Sequence, residues 1–128
     1  MIVVLDASAC VEFLLGTRTG RAVAATLTQA ASVHAPDLLV SEVASALRGL
    51  VRGGHITAPE AVAALMVLPR LDVELVGGLS LLPGVWQLSS AHSSDDAHYV
   101  ALARALGATL LTADAKLARA AGVPVQLV

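Results

Sequence analysis

Short runs of almost wholly apolar residues alternate along this chain with longer stretches whose apolar positions recur every three or four residues. The runs at 2–5, about 33–35, 73–76, 109–112 and 124–127 are mostly β-branched or leucine, which predicts strands buried on both faces of a sheet. Helical periodicity marks 7–15, 20–31, 38–53, 58–68, about 83–91 and 96–106, with a short further segment at 115–121. Strands separated by helices imply a parallel sheet covered on both faces, an α/β architecture. Gly53-Gly54, Gly77-Gly78 and Gly122 punctuate element ends, and Gly107 falls where a glycine closes the helix before it. No repeat or linker interrupts the pattern, so residues 1–128 read as one domain.

Four carboxylates fall at informative places in that pattern. Asp6 directly follows the run 2–5, and Asp114 follows 109–112, so both end strands. In open α/β sheets the carboxyl edge, near the point where strand order reverses, is where ligands bind. Asp96 opens the helix 96–106 in register with its apolar stripe of Tyr99, Val100, Ala103 and Leu106, which points it inward. A carboxylate withdrawn from water costs several kcal/mol unless paired or metal-bound, and no basic residue lies on that stripe. Glu42 projects from the flank of 38–53 that carries Ser45, Ala46 and Gly49, leaving room for a bulky ligand.

Each acid has a plainer reading alone. Asp6 and Asp114 suit helix N-caps, and a single exposed glutamate is usually solvated. Four acids gathered at one sheet edge are different, because like charges held close destabilise a fold unless cations neutralise them or their pKa values rise. Ligands that are all oxygen favour Mg²⁺ or Mn²⁺. Such ions clamp a phosphodiester and activate water, so no nucleophilic side chain is needed.

Composition narrows the setting. The chain is 56% hydrophobic, with a mean hydropathy of +0.77, yet no apolar run approaches the roughly 18 residues of a membrane span. Apolar surface is therefore left for a partner, and 20–31 and 58–68, short of charge nearly all round, are where we expect subunit or partner contacts. The start lacks a basic region and carries Asp6 and Glu12 where a signal peptide would be apolar. With Cys10 the only cysteine, a cytoplasmic location is expected.

The net charge of −2 argues against nucleic acid until the four acids are set aside, when six acidic residues face eight basic ones. Arg48 and Arg52 lie one turn apart on the helix of Glu42, and Lys116 and Arg119 follow Asp114; such residues could hold a phosphate backbone near the acids, and each one singly reads equally as a solvated helix-surface cation. The four histidines lack metal-ligand spacing, and His98 is expected on the solvent side of its helix. Glycine-rich phosphate loops are absent, and one Trp, one Tyr and one Phe offer no aromatic platform for bases.

Three segments, LDASA, PDLLVSEVASALR and DDAHYVALARALGATLLTADAKLA, make the chain resemble a PIN domain over essentially its full length. The resemblance is specifically to VapC-type ribonuclease toxins of bacterial type II toxin–antitoxin systems. It implies a three-layer α/β/α domain with a five-stranded parallel sheet, in which Asp6, Glu42, Asp96 and Asp114 hold Mg²⁺ and RNA is cut by activated water. Ser8 and Thr112 match the positions of supporting hydroxyls. A homodimer is implied too, with a cognate antitoxin whose C-terminal segment covers the site. One position departs from the pattern: before Asp96 such toxins often have an aromatic residue, where this chain has Asp95, expected to cap the helix. The expected activity is a toxin endoribonuclease. The alternatives are a non-catalytic PIN-like module that binds RNA or protein, and an RNA-processing or DNA nuclease of the same fold.

Overall fold

The computed structural model describes residues 1–128. Five strands, β1 (Ile2–Leu5), β2 (Ser32–Pro36), β3 (Glu74–Val76), β4 (Thr109–Thr112) and β5 (Val125–Leu127), form one parallel sheet in the order β3-β2-β1-β4-β5. Each lies on a run that the apolar pattern predicts. Helices α1 (Ala7–Leu15), α2 (Arg18–Gln29), α3 (Leu38–Arg52) and α4 (Ala58–Val67) connect β1 to β2 and β2 to β3. The return to β4 runs through α5 (Gly78–Gln87) and α6 (Ser94–Leu106), and α7 (Ala115–Ala120) precedes β5. α1 packs on α2, α3 and α4, whereas α5 packs on α6, which itself lies against β1, β2 and β4. Because right-handed crossovers proceed in opposite directions from β1, these two groups cover opposite faces and make three layers.

Strand order therefore reverses between β1 and β4. Both are central, with Val3, Val4, Leu5, Leu110 and Leu111 wholly buried, and Asp6 N–H continues their pairing by donating to the Leu111 carbonyl at 3.0 Å. Asp6 and Asp114 thus emerge side by side at the switch point.

Three helix starts differ from expectation. α2 begins at Arg18, two residues before the expected position, with Thr17 as its cap. α5 begins at Gly78 and carries Pro83 inside it, not at its start. Proline removes the bond that would reach the Leu79 carbonyl, and the helix tolerates the loss where Leu79 is 85% exposed and water can serve that oxygen. α6 begins two residues before Asp96, with the Ser93 hydroxyl accepting from Asp96 N–H at 3.2 Å. Ser93 is the cap; Asp95 is not, and Asp95 and Asp96 both stand in the first turn, where negative charge suits the helix dipole.

The close approach of α1 and α2 depends on Gly20. A Cβ there would come within 2.1 Å of the Glu12 carbonyl oxygen. Although alanine is ordinarily the better helix former, we expect Gly20→Ala to destabilise by roughly 1–3 kcal/mol through overpacking, read as an earlier urea midpoint. A variant as stable as the parent would show that the two helices part easily.

Candidate active site

Asp6 is 6% exposed at the end of β1. It occupies the N-cap position of α1 yet makes no side-chain cap. Its Oδ2 instead accepts from Ser8 Oγ at 2.5 Å and from Thr112 Oγ1 at 2.8 Å, which leaves Oδ1 without a protein donor. Thr112 is fully buried and its Oγ1 also accepts from Asp114 N–H at 3.0 Å. The two expected supporting hydroxyls thus stitch β1 to β4, and Ser8 Oγ further accepts from Ala113 N–H at 3.0 Å.

Asp114 is exposed and does cap its helix, Oδ1 accepting from Lys116 N–H at 2.9 Å and Leu117 N–H at 3.2 Å. Its Oδ2 remains free of the protein. Glu42, in the second turn of α3, is half-buried, and its Oε1 accepts from the Tyr99 hydroxyl at 2.6 Å. The space beside Glu42 that its small neighbours suggested is therefore closed on one side by tyrosine. Asp96, also half-buried, takes no side-chain bond from the protein.

Asp96 feels the charges of Asp6 and Asp114, and Glu42 those of Asp6 and Asp96. Burial pushes the Glu42 carboxyl above its ordinary 4.5, reinforced by the negative charges of Asp95, Asp6 and Asp96 and opposed by the Tyr99 bond. Burial likewise raises Asp96 above 3.8, reinforced by Asp6, Asp114 and Asp95 and opposed by His92. The same surroundings lift the Cys10 thiol to about 12 through burial and the Asp6 charge, which makes this core residue inert. Mutual repulsion of this kind, with no basic side chain paired to any of the four, calls for a cation.

The donor set fits Mg²⁺ or Mn²⁺, being all oxygen with at least one unencumbered oxygen on each acid. Direct ligation of one ion by all four acids is not what the arrangement offers, since no three of the acid, histidine and cysteine side chains converge on a single metal position. Mg²⁺ characteristically keeps several waters and takes one or two carboxylates.

The acids line none of the surface grooves. One groove of about 320 Å³ adjoins the site, lined by Leu82, Val85, Trp86, Ser89, His92 and Ser94. The PIN domain family model matches residues 3–123.

The chain belongs to the PIN domain family.

This PIN domain is 40% identical over 125 residues to Ribonuclease VapC1 of Mycobacterium tuberculosis, spanning 97% of this chain and 94% of that protein. Its backbone is similar to the crystal structure of Mycobacterium tuberculosis VapC20, a sarcin-ricin loop cleaving toxin, with a TM-score of 0.68, 18% identity and coverage of 94% and 95% of the two chains. It is similar also to Rickettsia felis VapBC2 bound to a DNA fragment from their promoter, with a TM-score of 0.66, 13% identity and coverage of 99% and 98%. At those identities the two structures bear on the fold alone, which is the three-layer PIN arrangement with a five-stranded parallel sheet.

Other expectations fare differently. His98 is half-buried, its Nδ1 2.6 Å from the Ser94 carbonyl, and does not stand out in solvent. Arg48, Arg52, Lys116 and Arg119 are all exposed. On α4, Val62 and Met66 are exposed as anticipated, but α2 shows no large exposed apolar residue. A further apolar face is on α5, where Leu79, Leu82 and Trp86 are 85%, 52% and 79% exposed. No helix is long and apolar enough to cross a membrane.

Proposed function

We propose that this chain is a metal-dependent endoribonuclease that hydrolyses RNA phosphodiester bonds and serves as the toxin of a type II toxin–antitoxin pair. The observation that carries the reading is the set of four mutually repelling carboxylates at the switch point of a PIN fold, Asp6, Glu42, Asp96 and Asp114, in a chain 40% identical to a protein named a ribonuclease. Bound Mg²⁺ or Mn²⁺ supplies an acidified water and offsets the charge of the phosphate. Asp6 and Asp96 would hold the cation, Asp6 being fixed by Ser8 and Thr112 through one oxygen so that the other is left for it. Glu42 and Asp114 would complete the site, and a carboxylate among the four would take the proton of the attacking water. Arg48, Arg52, Lys116 and Arg119 are the cations available to hold flanking phosphates.

A cognate antitoxin and a homodimer belong to the same reading. The α5 face of Leu79, Leu82 and Trp86 is an apolar surface open to either. Cytoplasmic action follows from an RNA substrate.

The test places single-stranded RNA and DNA side by side with Mg²⁺ or Mn²⁺ and the purified protein. We expect RNA to be cut internally and DNA to be spared, and Asp96→Asn to lower the cleavage rate by at least roughly 100-fold without loss of fold. RNA binding without cutting would return the chain to a non-catalytic module, and equal cutting of DNA would make it a general nuclease.

A further inference from the structure

Tyr99 is the only tyrosine of the chain, 1% exposed on α6. Its hydroxyl crosses the carboxyl edge of the sheet to donate to Glu42 on α3, a helix of the opposite layer, 57 residues away in sequence. A buried tyrosine needs some partner for its hydroxyl, so the bond alone does not reveal a purpose.

The comparison among the acids does. At Asp6 two hydroxyls converge on Oδ2 and leave Oδ1 free; at Asp114 two amides converge on Oδ1 and leave Oδ2 free. At Glu42 one hydroxyl occupies Oε1 and leaves Oε2 free. Three of the four acids are thus held in the same way, by one oxygen only. For Asp6 and Asp114 the restraint comes from residues close by or from the paired strand. Glu42 has a longer side chain with an additional rotatable bond, stands on a separate helix, and has no other donor. Without Tyr99 it would sweep through several rotamers.

We propose that Tyr99 is a positioning residue for the nuclease centre, fixing Glu42 by one carboxylate oxygen so that the other is presented to a divalent cation or its waters. This rests on the assignment of Glu42 to that centre. Partners of this kind orient ligating groups, and their loss commonly costs 10- to 100-fold in metal affinity or activity. Tyr99 is then to Glu42 what Ser8 and Thr112 are to Asp6, supplied from another layer of the fold.

The experiment compares Tyr99→Phe, Glu42→Gln and the double variant by calorimetric titration with Mn²⁺, by RNA cleavage, and by thermal midpoint without metal. Phenylalanine keeps the ring in the core. We expect Tyr99→Phe to weaken Mn²⁺ binding and slow cleavage by roughly 10- to 100-fold, Glu42→Gln to do at least as much, and the double variant to equal Glu42→Gln, because the two act as a unit. Parental Mn²⁺ affinity and cleavage in Tyr99→Phe would overturn the proposal. So would a loss that adds in full on the Glu42→Gln background, which marks a structural effect. If Glu42→Gln itself binds Mn²⁺ and cleaves as the parent does, the assignment of Glu42 fails and the proposal with it. Should Tyr99→Phe not fold, Glu42→Asp carries the test, since it keeps the charge but withdraws the carboxylate from the hydroxyl; parental Mn²⁺ affinity in that variant would overturn the proposal.

Discussion

Asp6→Asn is expected to lower RNA cleavage by roughly two to three orders of magnitude, the scale on which loss of one preorganised electrostatic group slows a hydrolytic site. Asparagine keeps the shape, and its amide oxygen can still accept from Ser8 and Thr112, so the junction of β1 and β4 survives. What it removes is charge. Asp6 is the one buried acid of the four and adds to the raised pKa of both Glu42 and Asp96. The variant therefore separates two properties that a structural role would keep together. Its thermal midpoint without metal should be no lower than that of the parent, because a repulsion has gone, while the rise in midpoint on adding Mn²⁺ should vanish. Cleavage and metal stabilisation that both persist in the folded variant would remove Asp6 from the site.

Much of this arrangement is legible in the amino-acid pattern. The strands are short apolar runs, and a parallel sheet buried on both faces demands such runs; Asp6 stands directly after one of them and Asp114 two residues after another, so their place at the carboxyl edge follows from local pattern. The inward register of Asp96 is also local, since it shares a helical face with Tyr99 and Val100, both buried. What local pattern does not carry is the identity of partners far apart in sequence. Asp6 reads as a helix cap, yet it makes no side-chain cap and its oxygen is taken by Thr112, 106 residues on, which the β1–β4 pairing brings to it. Tyr99 reads as part of an apolar stripe; periodicity assigns its ring to the core and says nothing of where its hydroxyl ends. The start of α5 misleads for another reason. Gly77-Gly78 and Pro83 look like a break followed by a helix start, but the glycines begin the helix and the proline sits inside it. The exposed face of α5 is hidden by that misplacement, since Leu79 and Leu82 fall outside the helix as the pattern draws it.

Removing divalent metal is expected to abolish cleavage and to reveal a stability that depends on pH in an unusual direction. Glu42 and Asp96 have pKa values above the ordinary 4.5 and 3.8, chiefly through burial and then through neighbouring negative charge. In the window from those ordinary values up to the raised ones, the folded chain holds protons that the unfolded chain has released. Stability contributed by these two groups therefore falls as pH rises through the window and is constant once both are ionised. Saturating Mg²⁺ or Mn²⁺ reverses the trend, because binding needs the deprotonated acids and its stabilisation grows as they ionise. At one hundred times Kd a ligand specific for the native state adds about 2.7 kcal/mol, a midpoint shift on the order of 10 °C for a domain of this size. Thermal melts with EDTA and with each cation, taken from about pH 4, where the window opens, up to about pH 8, measure both curves. We expect the EDTA curve to slope downward and the gap between the curves to widen with pH. A gap that narrows with rising pH, or no gap at any pH, would mean that these carboxylates are placed for some purpose other than holding a cation.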